Sequence, residues 1–455
     1  MYYKRLIDNY LMEWAASDEH KPLLLRGARQ VGKSSAVRHL GETFDNYIEI
    51  NFEEQPRYKA VFREDLDVNR IVSMISVYCG KVIKPGKTLL FLDEIQECQE
   101  AIMSLRFFKE QLPGLHVVAA GSLLEFALQD LPTFGVGRIH SMFMYPMSFD
   151  EFLMANGNDS LLIAKQEASK DNPLPELFHQ KLVALFRTFL LVGGMPEVVA
   201  KWVKTHDYLK CQEIQDDILL TYEDDFGKYK KRVDPILMRL TLRSVAAQVT
   251  KKFVYSQVSS EYKVEKIKNA VEMLVLAGIL YPVTNSSANG LPLGCEADDS
   301  CRKMLLLDTG LLLRLLDMTF HNAKEMAAFI LSSKENDLVN KGVLTEMFVG
   351  LEMLRYKKPT LRHELYYWLR KQKSSLSEVD YLEVKNMKVL PIEVKASMQG
   401  GMKSLWIMMR EKKLDSAVRC SLENFSHFDY TDSEDDNAIR HINVFPLYAV
   451  AEMLK

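Results

Sequence analysis

The sequence predicts an α/β fold with a parallel sheet, followed by helical and β-rich segments, and three observations carry that reading. Short apolar strands near residues 47–51, 88–92 and 116–120 alternate with helical stretches. A glycine-rich turn joins the apolar run Leu23-Leu24-Leu25 to a helical pattern. Two short β-rich runs lie close together towards the C-terminal end. With 455 residues the chain is about three domains long. Hydrophobic residues at 47% and charged residues at 26% exclude a disordered or collagen-like chain. The net charge of −3 names no partner, although it leaves room for opposite local charges. Six cysteines without repeated spacing read as reduced thiols. The closest pair, Cys295 and Cys301, has no second Cys or His pair beside it to complete a metal site. Lys4, Arg5, Asp8 and Glu13 interrupt the N-terminal apolar stretch, unlike a secretory signal, and no uncharged apolar run is long enough to cross a bilayer. The expected location is the cytoplasm.

The first element is the strand that ends at Arg26 and its turn, Gly27-Ala28-Arg29-Gln30-Val31-Gly32-Lys33-Ser34-Ser35, which reads G-x-x-x-x-G-K-S and opens a helix. Gly27 and Gly32 let the backbone curl so that its N–H groups face a β-phosphate, above the positive end of the helix. Lys33 would reach the β- and γ-phosphates of ATP, and Ser34 would coordinate Mg2+. The partner element is Lys87-Thr-Leu-Leu-Phe-Leu-Asp93-Glu94-Ile-Gln96, an apolar strand ending in two carboxylates. There Asp93 would hold Mg2+ and Glu94 would polarise the attacking water. A third strand, His116 to Ala120, runs into Gly121-Ser122, where the hydroxyl is either a γ-phosphate sensor or a turn serine. The Gly135-Val-Gly137-Arg138 loop offers an arginine for the transition state, from the same chain or across subunits, and the same residue also suits a surface position.

These residues resemble a known family. Arg26-Gly-Ala-Arg-Gln-Val-Gly-Lys-Ser, Leu92-Asp93-Glu94-Ile-Gln96, Gly121-Ser122, Gly137-Arg138, Tyr145-Pro146-Met-Ser148-Phe149-Asp-Glu151-Phe152 and Gly193-Gly194-Met195-Pro196-Glu197 are similar to those of prokaryotic AAA-type ATP-binding proteins that carry a C-terminal domain of unknown function, relatives of the archaeal ATPase group. The resemblance spans nearly the whole chain. It implies a P-loop ATPase core of the AAA type, a helical lid, a winged helix and a C-terminal α/β domain similar to restriction endonucleases.

The segment from about 155 to 227 reads as helical, with Leu182, Leu185, Phe186, Phe189 and Leu190 on one face. Gly193-Gly194 breaks it as a packing or hinge position, and Pro196 suits the first turn of the next helix. Residues 228–268 hold eleven Lys and Arg against three Asp and Glu, a net +8 that leaves −11 for the rest of the chain. A helix, a turn at Ser256, a basic helix over about 262–277 and strands at Gly278 and Met304 read as a winged helix-turn-helix. Lys263, Lys266 and Lys268 would then lie on DNA phosphates. The alternatives are a solvated lysine face and a protein-binding winged helix.

The last elements are a helix from Leu338 to Val349 carrying Glu346, then Glu378-Val-Asp380-Tyr-Leu-Glu-Val384 and Val389-Leu-Pro-Ile-Glu393-Val-Lys395. A two-residue loop, Asn386-Met387, sets Lys385 opposite Lys388 and so Asp380 opposite Glu393, with Lys395 on the same face. This is the D…E-x-K pattern of the endonuclease-like fold: Asp380, Glu393 and Glu346 would bind Mg2+ and Lys395 would activate water. A salt-bridged hairpin face is the other reading. The expected domains are an ATPase core at 1–155, a lid at 156–230, a winged helix at 231–320 and an endonuclease-like domain at 321–455.

The expected function is Mg-dependent ATP hydrolysis coupled to a DNA-binding winged helix and the endonuclease-like domain. Its catalytic residues are Lys33, Glu94, Ser122 and Arg138, with Asp380, Glu393 and Lys395 at the second site. The rival is an ATP/ADP-controlled switch or scaffold whose inactive C-terminal domain binds protein. A small-molecule kinase fits less well, because Asp-Glu at a strand end suits water activation.

Overall fold

Apolar residues at consecutive positions make strands that are buried on both faces, and Leu89 to Leu92 and Val117 to Ala120 are buried throughout. The structure, a computed structural model, describes residues 2–122, 124–129, 137–230, 232–322, 325, 341–372, 375–396 and 401–455. Gly135, Val136, Lys231 and residues 338–340 of the expectations above lie outside them. The chain divides into two units: residues 1–147 with 276–279 and 357–362, and the remainder.

In the first unit, α1 (Ile7–Ala16) precedes β1 (Leu23–Arg26) and α2 (Lys33–Gly41). Then come β2 (Asn46–Asn51), α3 (Lys59–Arg63), α4 (Val68–Cys79) and β3 (Thr88–Asp93). The unit's main run closes with α5 (Gln99–Gln111), β4 (His116–Ala120), α6 (Leu124–Gln129) and β5 (His140–Phe143). The five strands are all parallel, in the order β2-β3-β4-β1-β5, with the three expected strands at their expected places. Ile71 and Ile75 of α4 and Ile102, Leu105 and Phe108 of α5 cover one face over Ile50, Leu90, Leu92 and Val117. Because the central strands are parallel, the C-terminal ends of β1, β3 and β4 share one edge, which gathers the phosphate-loop entry, the carboxylate pair and Ser122.

The second unit opens with α7 (Phe149–Ala155), α8 (Asp159–Glu167), α9 (Glu176–Val192), α10 (Pro196–Thr205) and α11 (Tyr208–Asp225). Pro196 takes the first turn of α10, as its fixed φ favours. Leu182, Phe186, Phe189 and Leu190 of α9 are buried. Next come α12 (Pro235–Gln248), α13 (Val264–Leu276), β6 (Leu280–Ser286), β7 (Ala297–Leu306) and α14 (Thr309–Leu315). The unit ends with α15 (Lys341–Arg355), β8 (Leu365–Gln372), β9 (Ser375–Lys385), β10 (Lys388–Val394), α16 (Lys403–Glu411), β11 (Ser416–Ser421), β12 (Ser426–Asp432), β13 (Ala438–Pro446) and α17 (Val450–Leu454).

The expected wing differs from expectation in extent and in pairing: β7 starts at Ala297, ahead of Met304, and gives way to α14 at Thr309. β6 and β7 do pair antiparallel, but the free edge of β6 pairs in parallel with β8, so the hairpin ends an eight-stranded sheet ordered β12-β13-β11-β10-β9-β8-β6-β7. An unpaired strand edge exposes N–H and C=O groups that seek partners, and β8 supplies them. The sheet therefore runs without a break across the boundary expected near residue 320. No helix among the described residues is long and apolar enough to cross a membrane.

Candidate functional site

β1 delivers the chain to Gly27, where φ is 146° and a Cβ would sit 2.2 Å from the carbonyl oxygen of Met144, so only glycine fits. Gly32 caps α2 from the left-handed region, and the helix's free N–H groups join those of the loop. Lys33 Nζ donates to the carbonyl oxygens of Gly27 at 2.9 Å and Ala28 at 2.7 Å. Burial pulls its ammonium down to about 8, against the opposing pull of Glu94 and Asp93. Ser34 Oγ donates to Asp93 Oδ2 at 2.9 Å. Burial pushes the Asp93 carboxyl up to about 6, and the hydrogen bond from Ser34 opposes it.

Glu94 leaves β3 with φ at 48°, a left-handed conformation that costs a residue other than glycine about 1 kcal/mol or more. Its Oε2 accepts from Gln96 Nε2 at 2.6 Å and lies 3.4 Å from Ser122 Oγ. Ser122 thus touches the carboxylate expected to polarise water. Arg138 is elsewhere: its guanidinium pairs with Glu110 of α5 at a side-chain exposure of 53%, the surface alternative. Sequence reading missed Arg5. Its buried guanidinium donates to the carbonyl oxygens of Val31, in the loop, at 2.9 Å and of Tyr145 at 2.8 Å.

The second cluster lies on the eight-stranded sheet. Asn386 and Met387 are both left-handed, as a two-residue hairpin turn requires, and Lys385 pairs opposite Lys388. Ile392 faces Tyr381, one step before Glu393 and Asp380. Lys395 Nζ donates to Glu393 Oε1 at 2.5 Å, and Asp380 Oδ2 accepts from the Val394 N–H at 2.7 Å. Among the described residues, the carboxylates whose oxygens lie within 4.8 Å of one another are Glu346, Glu378 and Asp380; Glu393 is not in that group. Lys303 of β7, wholly buried, places Nζ 2.8 Å from Glu346 Oε1, 2.5 Å from Glu378 Oε1 and 4.8 Å from the centre of the Tyr367 ring. Burial pushes Glu346 up to about 8 and Glu393 up to about 7. Against the cost of burial, Glu346, Asp380 and Glu378 hold the Lys303 ammonium above its ordinary range.

Three family profiles match the chain: "AAA domain" over residues 19–153, and two domains of unknown function, DUF8612 over 183–322 and DUF4143 over 341–447. Residues 19–153 therefore carry an AAA domain. Among solved structures, the chain is similar to the Walker-type ATPase Paby2304 of Pyrococcus abyssi, at 16% identity and a TM-score of 0.43, over 69% of this chain and 96% of that one. It is also similar to unliganded Pif1 from Bacteroides sp., at 15% identity and a TM-score of 0.21, over 38% and 48% of the two chains. A third likeness is the S. cerevisiae Hsp104–ADP complex, at 9% identity and a TM-score of 0.27, over 60% and 38%. No curated protein matches. The domain assignment rests on the AAA profile and the loop geometry rather than on these distant likenesses.

Within the AAA domain, the Ser34 hydroxyl and the Asp93 carboxylate form an oxygen pair of the kind Mg2+ takes, so these residues fit the ion. In the second cluster, two of the three carboxylates pair with the Lys303 ammonium. Other motif residues are structural. Ser148 and Glu151 cap α7 reciprocally, while Asp150 and Glu452 grip the fully buried Lys165 at 2.8 and 2.7 Å. The Gly194 N–H donates to Asp308 Oδ2 at 2.6 Å, and a Cβ on Gly193 would lie 2.1 Å from Asp308 Oδ1, so the glycine pair is a packing position.

Proposed function

We propose that the AAA domain hydrolyses ATP with Mg2+, and that nucleotide state governs a basic segment that binds DNA. One observation carries the hydrolytic reading: the Ser34–Asp93 contact at 2.9 Å stands beside Glu94, whose carboxylate is aimed by Gln96 and Ser122. The loop N–H groups and Lys33 would bind the phosphates, and Lys33 would exchange its two carbonyl partners for phosphate oxygens. Ser34 and Asp93 would hold Mg2+, which when bound neutralises β- and γ-phosphate oxygens. Glu94 would take the proton of the attacking water, and Ser122 would link that carboxylate to the end of β4.

The DNA reading is supported by exposed Lys251, Lys252, Lys263, Lys266 and Lys268 around α13, within the +8 window. For the C-terminal domain, the contacts of Lys303 favour the reading of an endonuclease-like fold that binds without cutting. The test pairs two assays on one preparation. Mg-dependent phosphate release should vanish in Lys33→Ala. Replacing Lys263, Lys266 and Lys268 together by Gln should reduce the log–log salt slope of duplex binding by about 3. Hydrolysis unchanged in the first variant, or an unchanged slope in the second, contradicts the corresponding half.

A further inference from the structure

The cluster on the C-terminal sheet assembles three carboxylates from separate elements: Glu346 from α15, and Glu378 and Asp380 from one face of β9. A group of acidic side chains this close needs a positive charge among them, because like charges in a poorly solvated place repel strongly. In a metal-dependent phosphodiesterase that charge is a divalent ion with open positions for water and phosphate. In this chain a lysine side chain stands there. Lys303 is anchored on β7 opposite Val283, and its side chain has no exposed surface. Its ammonium lies at hydrogen-bond distance from both Glu346 and Glu378 and is closed off by the Tyr367 ring. The third carboxylate, Asp380, is held by the Val394 N–H, and the neighbouring Glu393 by Lys395.

We propose that Lys303 is the resident cation of this cluster, a tethered ammonium standing where a divalent metal would sit among Glu346, Glu378 and Asp380, and that it excludes Mg2+ and Mn2+ from the C-terminal domain. Mg2+ needs near-octahedral oxygen ligands at about 2.1 Å and retains several of its waters. The buried ammonium already engages two of the three carboxylates, so Mg2+ could take them as ligands only by displacing it. An incoming dication would also face the lysine charge in an environment with little water to screen it. The lysine cannot withdraw to solvent without breaking its contacts at the sheet, because every one of its side-chain atoms is covered.

The inference deepens the reading of the C-terminal domain as non-cleaving, but its readout is metal binding rather than DNA cleavage, so the two fail separately. The experiment titrates the nucleotide-free full-length chain with Mn2+ and follows free Mn2+ by electron paramagnetic resonance. Wild type, Lys303→Gln, Asp380→Asn and the double variant are compared; the AAA domain is common to all four and contributes equally. Wild type and Asp380→Asn should bind the same number of ions. Lys303→Gln should bind one more, and the double variant should lose it. Lys303→Met serves in the same role if the glutamine variant does not fold. The wild-type comparison with Asp380→Asn needs no lysine variant at all. A wild-type ion that disappears in Asp380→Asn overturns the proposal, as does a folded Lys303 variant that gains no ion.

Discussion

Arg5→Ala is the sharpest probe of how the phosphate loop is held. The wild-type guanidinium joins the carbonyl of Val31, in the loop, to the carbonyl of Tyr145, and it is buried. Each hydrogen bond from a charged donor contributes about 1.5 kcal/mol or more, so losing both costs about 3 kcal/mol of domain stability. For a domain of this size that lowers Tm by about 6–12 °C. The functional effect is separate. If Val31 is no longer pinned, binding must reorder about one residue of loop, at about 1–2 kcal/mol, which weakens ATP by about 5- to 30-fold. Arg5→Lys should recover only part of either effect, because a single ammonium lacks the fork that reaches two carbonyls. Calorimetric unfolding gives the first number and titration with a fluorescent ATP analogue, at a temperature where the variant is folded, gives the second. A folded Arg5→Ala protein with wild-type affinity would refute the view that this side chain preorganises the loop.

Lys165→Met leaves Asp150 and Glu452 buried without their cation and should cost about 3–5 kcal/mol in urea unfolding, while adding Asp150→Asn and Glu452→Gln should restore most of it. Gly193→Ala places a methyl 2.1 Å from Asp308 Oδ1 in a residue at φ 74° and should destabilise by about 2 kcal/mol or more in the same assay, with ATP affinity unchanged. Burial holds His116, His140 and His179 below the ordinary imidazole range of 6.5. Their unfolded forms take up protons first, so Tm should fall as pH drops below about 6.5 and level off above it. His179→Gln should flatten part of that fall, and an unchanged slope would remove His179 from the account.

The parts of the fold and site that the sequence made legible are those written in local spacing. The G-x-x-x-x-G-K-S turn is contiguous, and the strands that end at Asp93 and Ser122 announce themselves by unbroken apolar runs, since a parallel sheet covered on both faces needs them. The β9–β10 register was legible because Asn386 and Met387 permit a two-residue turn and the period of two then fixes every partner. What escaped is long-range. Lys303, Glu346 and Glu378 come from β7, α15 and β9, and nothing in the run Arg302-Lys303-Met304-Leu-Leu-Leu tells which of its two cations is buried with acids. Arg5 read as a charge that spoils a signal peptide, although its partners lie at Val31 and Tyr145. The two expected wing strands only overlap β6 and β7, and the pairing of β6 with β8 depends on a strand about eighty residues later, beyond the reach of turn chemistry.

In the proposed mechanism the strand-end pair Asp93-Glu94 divides its labour between holding Mg2+ and activating water. Single-turnover assays with Glu94→Gln separate the two roles. The amide keeps the size of the side chain and its contacts to Gln96 and Ser122 but cannot accept a proton from water. The variant should bind Mg·ATP with near wild-type affinity and release phosphate at least about 100-fold more slowly, in the range that general-base catalysis supplies. Wild-type phosphate release from Glu94→Gln would contradict the account.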